Sequence, residues 1–410
     1  MLRRFNLANV SFVFLWLALL VIPINYDVFS VRLSDLLILF SFALILFTKV
    51  NERAFSVFAV FLLVLLALMA SQLVGLFYAE NFRSEGVVFY FKWLMIFISI
   101  FLLYSHLWDR HEDIVRLSRI LFYLFVFLSA WVYIYLYLVA SGAITGNIRV
   151  SFPLSRDYSY PDAHLYSSLL SMLIFSYHFV LRKVLRHSFV FSLAVIFFSI
   201  PALFLTGSRG GLLMLILGAS IVSVYFLLSG DFFYKKIKLK NVFLILPILV
   251  FVAGYGIQAV DFSDDYIEVF DRAINFNLDS DQSSISRVNK LQVALDEISN
   301  SYLILGVGPL SAKMDWYDGV ISILLSHGGF LLLSIVLIIL LYFLYFLMTI
   351  KASTYNKFII FSMFLMYLLS NVITEYVFVT RNFFPVFVSF AIAIAYAKRE
   401  FLNRGKYFSI

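Results

Sequence analysis

The sequence predicts an all-α polytopic membrane protein with about twelve transmembrane helices and one long helical periplasmic loop. Of its 410 residues, 63% are apolar and only 13% are charged, and a soluble domain of this composition could not cover its own surface. Apolar runs long enough to cross roughly 30 Å of hydrocarbon recur along the chain. A single long polar stretch, Asp261–Asp318, interrupts them and must therefore lie outside the bilayer.

The apolar runs divide the chain into three parts. Residues 1–260 hold nine predicted spans, 261–327 form the periplasmic loop with an amphipathic helix, and 328–410 hold three more spans and a cytoplasmic C-terminus. The first run, Val10–Ile24, follows Arg3 and Arg4 and indicates an uncleaved signal-anchor. The predicted spans lie near 8–25, 34–50, 55–78, 87–107, 115–140, 162–181, 188–206, 210–229, 241–260, 328–350, 357–377 and 382–397.

The positions of lysine and arginine give the orientation. With twelve spans, 20 of the 31 Lys and Arg residues fall on the side of the N-terminus, which the positive-inside rule makes cytoplasmic. We therefore expect both termini in the cytoplasm and the long loop on the opposite face. The basic residues lie at the ends of apolar segments and not on a soluble face, so we expect no nucleic-acid partner despite a pI near 9.3. With no cysteine, disulfides and thiol catalysis are excluded.

Within the loop, apolar residues at helical spacing predict an amphipathic helix over Ser286–Asn300, lying on the membrane surface or over a cavity. Ser284 or Ser286 is the expected N-cap. The acidic residues of Asp261–Asp271 also share one helical face, which we interpret as solvated and not as a metal site. The apolar residues of the predicted helix are Val288, Leu291, Leu295 and Ile298.

Several arginines lie on the predicted external side, against the usual charge bias. An arginine held at this interface needs an anionic partner, either a loop carboxylate or a phosphate ligand. For Arg209 the alternative is a helix cap, and for Arg381 it is an ion pair with Glu375. The arginines in question are Arg149, Arg156, Arg209, Arg287 and Arg381.

Short motifs around these arginines resemble the O-antigen ligase and polymerase superfamily. Leu205–Gly211 (LTGSRGG) looks like the family's (T/S)-x-S-R-(G/A) turn, and Ser286-Arg287 followed by Tyr302–Pro309 (YLILGVGP) is similar to its S-x-R…L-L-G-V-G-P signature. Asp318 and then Gly329 follow at the family's spacing, and Arg149–Pro153 (RVSFP) is a weaker match. The family carries a polar residue where Asp318 stands, histidine in typical ligases and often aspartate in polymerases.

The resemblance is closest to the polymerases of oligosaccharide repeat units and implies a GT-C-like architecture. It implies transfer of a glycan from undecaprenyl diphosphate onto a lipid-linked repeat unit at the periplasmic face of a bacterial inner membrane. The sequence has no H-E-x-x-H or EF-hand pattern, so we expect no metal and no cofactor. The implied partners are the undecaprenyl-diphosphate-linked oligosaccharide, membrane lipids, a chain-length regulator and a flippase. The residues expected to hold the diphosphate and substrate are Arg209, Arg287, Arg149, Arg381, Ser208, Gly306 and Gly308.

Asp318 is the expected base for the acceptor hydroxyl, with Asp315 as the second candidate; alternatively, Asp318 caps the tenth helix. Two other functions remain open. A ligase would move the same glycan onto lipid A-core, and aspartate at 318 favours the polymerase. A flippase for lipid-linked oligosaccharides would need charged residues deep in its spans, whereas the arginines cluster at the external ends and Lys92 is the nearest exception.

Overall fold

The computed structural model describes residues 7–22, 27–28, 31–48, 56–78, 86–107, 111–144, 150–153, 163–228, 282–299, 304–313, 319–373 and 380–407. The predicted ninth span (241–260) and the acidic stretch Asp261–Asp271 lie outside these residues, as do several candidate site residues. The candidates outside the described part are Arg149, Arg156, Asp315 and Asp318.

The described chain is helical, and each of the other eleven predicted spans coincides with a helix. A two-residue antiparallel ladder between α1 and α2 is an exception to the predicted all-α class; it pairs β1 (Asp27–Val28) with β2 (Val31–Arg32). The helices are α1 (Leu7–Val21), α2 (Leu33–Leu46), α3 (Ser56–Tyr78), α4 (Val87–Leu107), α5 (His111–Ala140), α6 (Ala163–Ser176), α7 (Arg182–Leu185), α8 (Phe189–Leu205), α9 (Arg209–Leu228), α10 (Gln282–Ser299), α11 (Val320–Thr349), α12 (Thr354–Ile373) and α13 (Thr380–Tyr407). A π-helical turn, Tyr177–Leu181, joins α6 to α7.

Six helices in the described part of the chain are long and apolar enough to cross a membrane: α3, α4, α5, α6 with α7, α11 and α12. Four shorter apolar helices, α1, α2, α8 and most of α9, accompany them. Large apolar side chains are exposed along α3 and α11, such as Leu66 at 62% and Ile338 at 65%. A protein in water rarely exposes such surfaces, so this is a membrane-embedded helical protein.

Helix α6 lies at the centre of the bundle and packs against α5, α8, α9, α12 and α13. It carries several serines, and small residues allow helices to approach closely in a membrane, where burial of apolar surface provides no driving force. The Ser171 hydroxyl donates to the Gly211 carbonyl of α9 at 2.6 Å. A Cβ atom at Gly211 would lie 2.6 Å from the Ser167 Cβ, so only glycine fits there.

The helix ends fall into two sets. We call one end of the bundle the junction end. It contains the starts of α6, α9 and α13, the ends of α3, α8 and α12, and the segment Ile304–Lys313. At the other end, Lys183 lies 4.3 Å from the ring centre of Tyr355, and the exposed Arg116 pairs with Glu112. Lys183 and Arg116 belong to the predicted cytoplasmic set and lie at the end opposite the junction end, whereas the orientation of the bundle in a membrane stays a prediction.

Two predicted helix starts are wrong. The amphipathic helix α10 begins at Gln282, so Ser284 and Ser286 lie inside the helix and not at its N-cap. The predicted tenth span begins at Val320 and not at 328, because the chain stays helical on both sides of a kink at Gly329 (φ 58°, ψ −156°). Gly319 occupies the N-cap position of this helix, so the alternative that Asp318 caps it is not supported.

The contact between α6 and α9 predicts that Gly211→Ala destabilises the protein. The added methyl group would meet the backbone and Cβ of Ser167, and overpacking of this kind costs about 1–3 kcal/mol. Gly218→Ala is the control on the same helix, because the nearest atom there is the flexible thioether of Met366. Thermal unfolding in detergent should show a lower Tm for Gly211→Ala only, and equal Tm values for the two variants would contradict the prediction.

Candidate functional site

Three helices begin close together at the junction end. Nδ1 of His164, in the first turn of α6, lies 3.0 Å from Oγ of Ser208, the residue before α9. Nδ2 of Asn382, in the first turn of α13, donates to the carbonyl of Leu165 at 2.7 Å. The N-terminal ends of α6, α9 and α13 therefore meet, and we call this place the three-helix junction. Backbone N–H groups at helix starts lack partners within the helix and attract anions.

The turn Thr206–Ser208 sets the angle between α8 and α9. Gly207 has a φ of +69°, a conformation that ends helices and favours glycine. The Thr206 hydroxyl donates to the Leu203 carbonyl at 2.7 Å, and the Gly207 N–H donates to the Phe204 carbonyl at 3.1 Å. The predicted turn between two helices is confirmed, and it brings the buried Ser208 to the junction.

The structure brings several predicted site residues to this junction by their backbone positions. Arg209 is the first residue of α9, and Arg381 is the second residue of α13. The residues that follow Arg149 in the chain, Val150–Pro153, pack nearby: the Phe152 ring contacts Tyr166 of α6, with ring centres 4.9 Å apart. Motifs separated by more than 200 residues in sequence thus meet at one end of α6.

The segment Ile304–Lys313, which we call the glycine segment, lies between α3 and α11. The Val307 N–H donates to the Ser326 carbonyl at 2.9 Å, and the Leu331 N–H donates to the Ile304 carbonyl at 2.8 Å. On the other side, Gln72 of α3 uses both ends of its amide. Its Nε2 donates to the Ser311 hydroxyl at 2.8 Å, and its Oε1 accepts from the Leu310 N–H at 2.9 Å.

The glycines of this segment are explained by protein packing. Gly306 (φ +69°) lies against Gly329, and a Cβ atom on either would be 2.5 Å from the other's backbone nitrogen. Gly308 (φ +80°) lies against the backbone and side chain of Gln72. The predicted role of Gly306 and Gly308 in close approach to a ligand stays a prediction, because protein atoms fill the space that each of them leaves.

Glu297 joins three elements through one buried carboxylate. It lies near the end of α10 and is 4% exposed. One carboxylate oxygen accepts from the Lys313 N–H of the glycine segment, and the other accepts from the Ser326 hydroxyl of α11 at 2.6 Å. Such charge-assisted hydrogen bonds are stronger than those between neutral groups. Glu297 therefore fixes the helix that carries Arg287 to the segment that leads toward Asp315 and Asp318.

The inner face of α10 matches the predicted one at Ile298 but differs from it elsewhere. Ala294, Glu297 and Ile298 are buried, whereas Val288 is 66% exposed and Leu295 is 38% exposed. The apolar spacing identified a helix but not the face that packs on the protein, because the buried carboxylate of Glu297 does not fit an apolar pattern.

A buried ion pair lies at the same end of the bundle. Nζ of Lys92 is 3.4 Å from Oδ2 of Asp35, and both side chains are buried. Asp35 also accepts a hydrogen bond from the Arg32 N–H at 3.2 Å, so it caps the first turn of α2. This pairing gives Lys92 a structural partner near the helix ends and places no charge at mid-span.

Sequence reasoning missed three residues of the site: Gln72, Glu297 and Asn382. Glu297 was one of eleven acidic residues in the polar stretch, and nothing in its local pattern distinguishes it. Asn382 directly follows Arg381, and this adjacency is the signal that could have found it. Among the described residues, no group of three or more His, Cys, Asp or Glu could hold a metal ion.

The position of Glu297 predicts that Glu297→Ala loosens the glycine segment. Without the carboxylate, the Lys313 N–H and the Ser326 hydroxyl lose their acceptor, and each buried donor left without a partner costs about 1–3 kcal/mol. Hydrogen exchange of residues 304–313 should become faster. Asp296→Ala is the matched control, because Asp296 is exposed on the same turn of α10 and should leave this exchange unchanged.

No protein-family model matches this sequence, and no curated protein matches it. What the protein does must therefore be argued from its own residues and their arrangement.

Proposed function

We propose that the protein is a glycosyltransferase of lipid-linked glycans. It transfers a growing glycan from undecaprenyl diphosphate onto the sugar of a second lipid-linked repeat unit, as a repeat-unit polymerase does. The reaction forms a bond between the acceptor oxygen and the anomeric carbon of the donor and breaks the bond from that carbon to the diphosphate. The proton of the acceptor hydroxyl passes to a base on the protein.

The three-helix junction is the observation that supports this proposal most. Three helix N-termini attract negative charge, and Arg209 and Arg381 belong to the first turns of two of them. Arginine binds phosphate oxygens through two parallel hydrogen bonds. Positive groups fixed in advance at this point stabilise the charge that develops on the departing diphosphate, which is often the largest contribution to catalysis.

The acceptor side of the site is proposed to lie across the glycine segment and the start of α11. Arg287 belongs to α10, which Glu297 fixes to both of these elements. Asp318 precedes Gly319, and a Cβ atom at Gly319 would lie 2.9 Å from the Val372 carbonyl oxygen near the end of α12. The carboxylate of Asp318, or that of Asp315, is proposed to accept the proton of the acceptor hydroxyl.

The proposed orientation follows from charge. We infer that the junction end faces the periplasm of a bacterial cell and that both termini lie in the cytoplasm, because the basic residues concentrate toward the opposite end. The proposed twelve spans include 241–260. A lipid-linked donor would then reach the site from the outer leaflet, after a flippase has carried it across, and a chain-length regulator would act on its product.

Substitution of Arg209 tests the diphosphate site. Arg209→Ala should lower the rate of glycan elongation by roughly 100-fold, the usual effect of removing one donor to a developing anion. Arg209→Lys should recover part of the rate, because lysine keeps the charge but not the paired hydrogen bonds. Arg287→Ala should also lower the rate of elongation, and the slower reaction should give a shorter glycan. The measurement is glycan length made by purified protein from lipid-linked repeat units.

Arg116→Ala is the control for these variants. Arg116 lies at the opposite end in an exposed ion pair with Glu112, and such pairs contribute little to stability. Unchanged glycan length in both Arg209→Ala and Arg287→Ala would contradict the proposal, as would the absence of any elongation by the wild type.

A deletion strain separates the polymerase from a ligase. Loss of a polymerase should leave lipid A-core that carries a single repeat unit. Loss of a ligase should leave bare core, with polymer still on the undecaprenyl carrier. Gel separation of the extracted lipopolysaccharide distinguishes the two patterns, and the second pattern would replace the polymerase with the ligase.

A further inference from the structure

The turn between α7 and α8 lies at the end of the bundle opposite the junction end, and the proposed reaction gives it no role. The candidate span that α6 and α7 form ends at Leu185, and the apolar helix α8 begins at Phe189. The side chains of Phe189 and Val190 are exposed, as expected where a helix of a membrane-embedded bundle faces lipid. The turn Arg186–Ser188 therefore lies where the apolar part of two neighbouring helices ends.

Arg186 has a backbone conformation that suits glycine. Its φ is 58° and its ψ is 34°, and no other non-glycine residue in the described ranges has a positive φ. The Arg186 N–H donates to the Lys183 carbonyl at 3.4 Å, and the next N–H along the chain donates to the Arg182 carbonyl at 3.0 Å. These two bonds form a Schellman motif, in which glycine is usual at the left-handed position because a Cβ atom strains the backbone there. The backbone therefore does not account for an arginine at this position.

The side chain of Arg186 is available to a ligand. It is exposed, and no carboxylate in the part of the chain that the structure describes forms an ion pair with it. Two lysines at the same end have protein partners instead. Lys183 lies 4.3 Å from the ring centre of Tyr355, and Nζ of Lys357 donates to a backbone carbonyl at 2.6 Å. A strained residue that holds an exposed charge points to a partner outside the protein.

Arg182 brings a second guanidinium group to the same turn. Its Cζ atom lies 5.9 Å from the ring centre of Phe189, whose side chain is exposed. Again, no carboxylate among the described residues forms an ion pair with it. Positive charge beside an exposed apolar helix start matches a ligand that carries both a negative group and hydrocarbon, which is the chemistry of a phospholipid.

We propose that the turn Arg182–Phe189 binds an anionic phospholipid of the leaflet at this end of the bundle. Arg182 and Arg186 bind the lipid phosphate, and an acyl chain lies along the exposed start of α8. Free phosphate would reach the two arginines but would leave this apolar surface uncovered. A zwitterionic lipid would bring a cation close to two others. The site anchors the central helix α6 in the bilayer and does not depend on the proposed function.

A phosphatidylglycerol with a photoactivatable diazirine in its acyl chain tests the site on the full-length protein in neutral detergent. For the wild type, illumination should attach the probe at Phe189–Phe191, as read by mass spectrometry of peptides. Unlabelled phosphatidylglycerol should compete with the probe, and its concentration dependence gives an apparent Kd. Phosphatidylcholine with the same acyl chains should compete roughly 5-fold more weakly, and inorganic phosphate should not compete.

Arg186→Gly is the decisive variant because it removes the charge and relieves the backbone. Its Tm in detergent should equal or exceed that of the wild type. Its apparent Kd for phosphatidylglycerol should rise about 5-fold, which corresponds to about 1 kcal/mol for one basic residue near a membrane surface. Arg182→Gln should raise the Kd by a similar factor without any change at the left-handed position. Arg186→Lys keeps the charge and should stay within about 2-fold of the wild type.

Arg116→Ala is the matched control. Arg116 is an exposed arginine at the same end, and it forms an ion pair with Glu112 at 3.7 Å, away from this turn. Its loss changes the net charge of the protein as Arg186→Gly does, but it should leave labelling at Phe189–Phe191 and the apparent Kd unchanged.

Several results would overturn the proposal. One is an unchanged Kd in both Arg186→Gly and Arg182→Gln. Another is an equal rise in Arg116→Ala, because net charge and not this turn would then attract the lipid. Competition by phosphatidylcholine or inorganic phosphate as strong as that by phosphatidylglycerol would also contradict it. Glycan elongation by the Arg209 variants is measured separately, so the lipid site and the proposed function can fail independently.

Discussion

The close approach of α6 and α9 is the contact on which the arrangement of the site depends. Because Gly211 has no side chain, the backbone of α9 packs directly against Ser167 of α6. The Ser171 hydroxyl donates a hydrogen bond to the carbonyl of Gly211. Burial of apolar surface does not favour one helix contact over another inside a membrane, so small residues and hydrogen bonds select the partners. This contact determines where α9 begins, and therefore where Ser208 and Arg209 lie relative to His164.

The glycine segment is irregular backbone that lies beside apolar helices. Free N–H and C=O groups are costly where water is scarce, so such a segment is stable only when other protein groups bond to it. Here α11 provides the carbonyl of Ser326, α3 provides the amide of Gln72, and α10 provides the carboxylate of Glu297. Three helices thereby hold a non-helical chain in one conformation at the junction end.

The sequence predicts the helices well because long apolar runs have few alternative structures. The apolar runs coincide with helices even where the bounds differ. The start of α11 was predicted too late, because Gly329 was interpreted as the start of the helix, whereas it is a kink inside it. Residue types that are unusual for their location pointed to Arg209 and Arg381 outside the cytoplasmic set, and their backbone positions at two helix starts agree with a common location, while their roles stay predictions. Gln72, Glu297 and Asn382 were not, because their roles come from hydrogen bonds to residues far away in sequence.

The paired glycines at 306 and 329 have a consequence for how this protein can change over generations. Each occupies the space that a side chain on the other would need, and both have positive φ angles. A substitution at one position cannot be rescued by a smaller residue at the other, since none is smaller than glycine. Neutral substitution is therefore excluded at both positions. A descendant protein that replaces either glycine must also change the backbone conformation at the kink of α11.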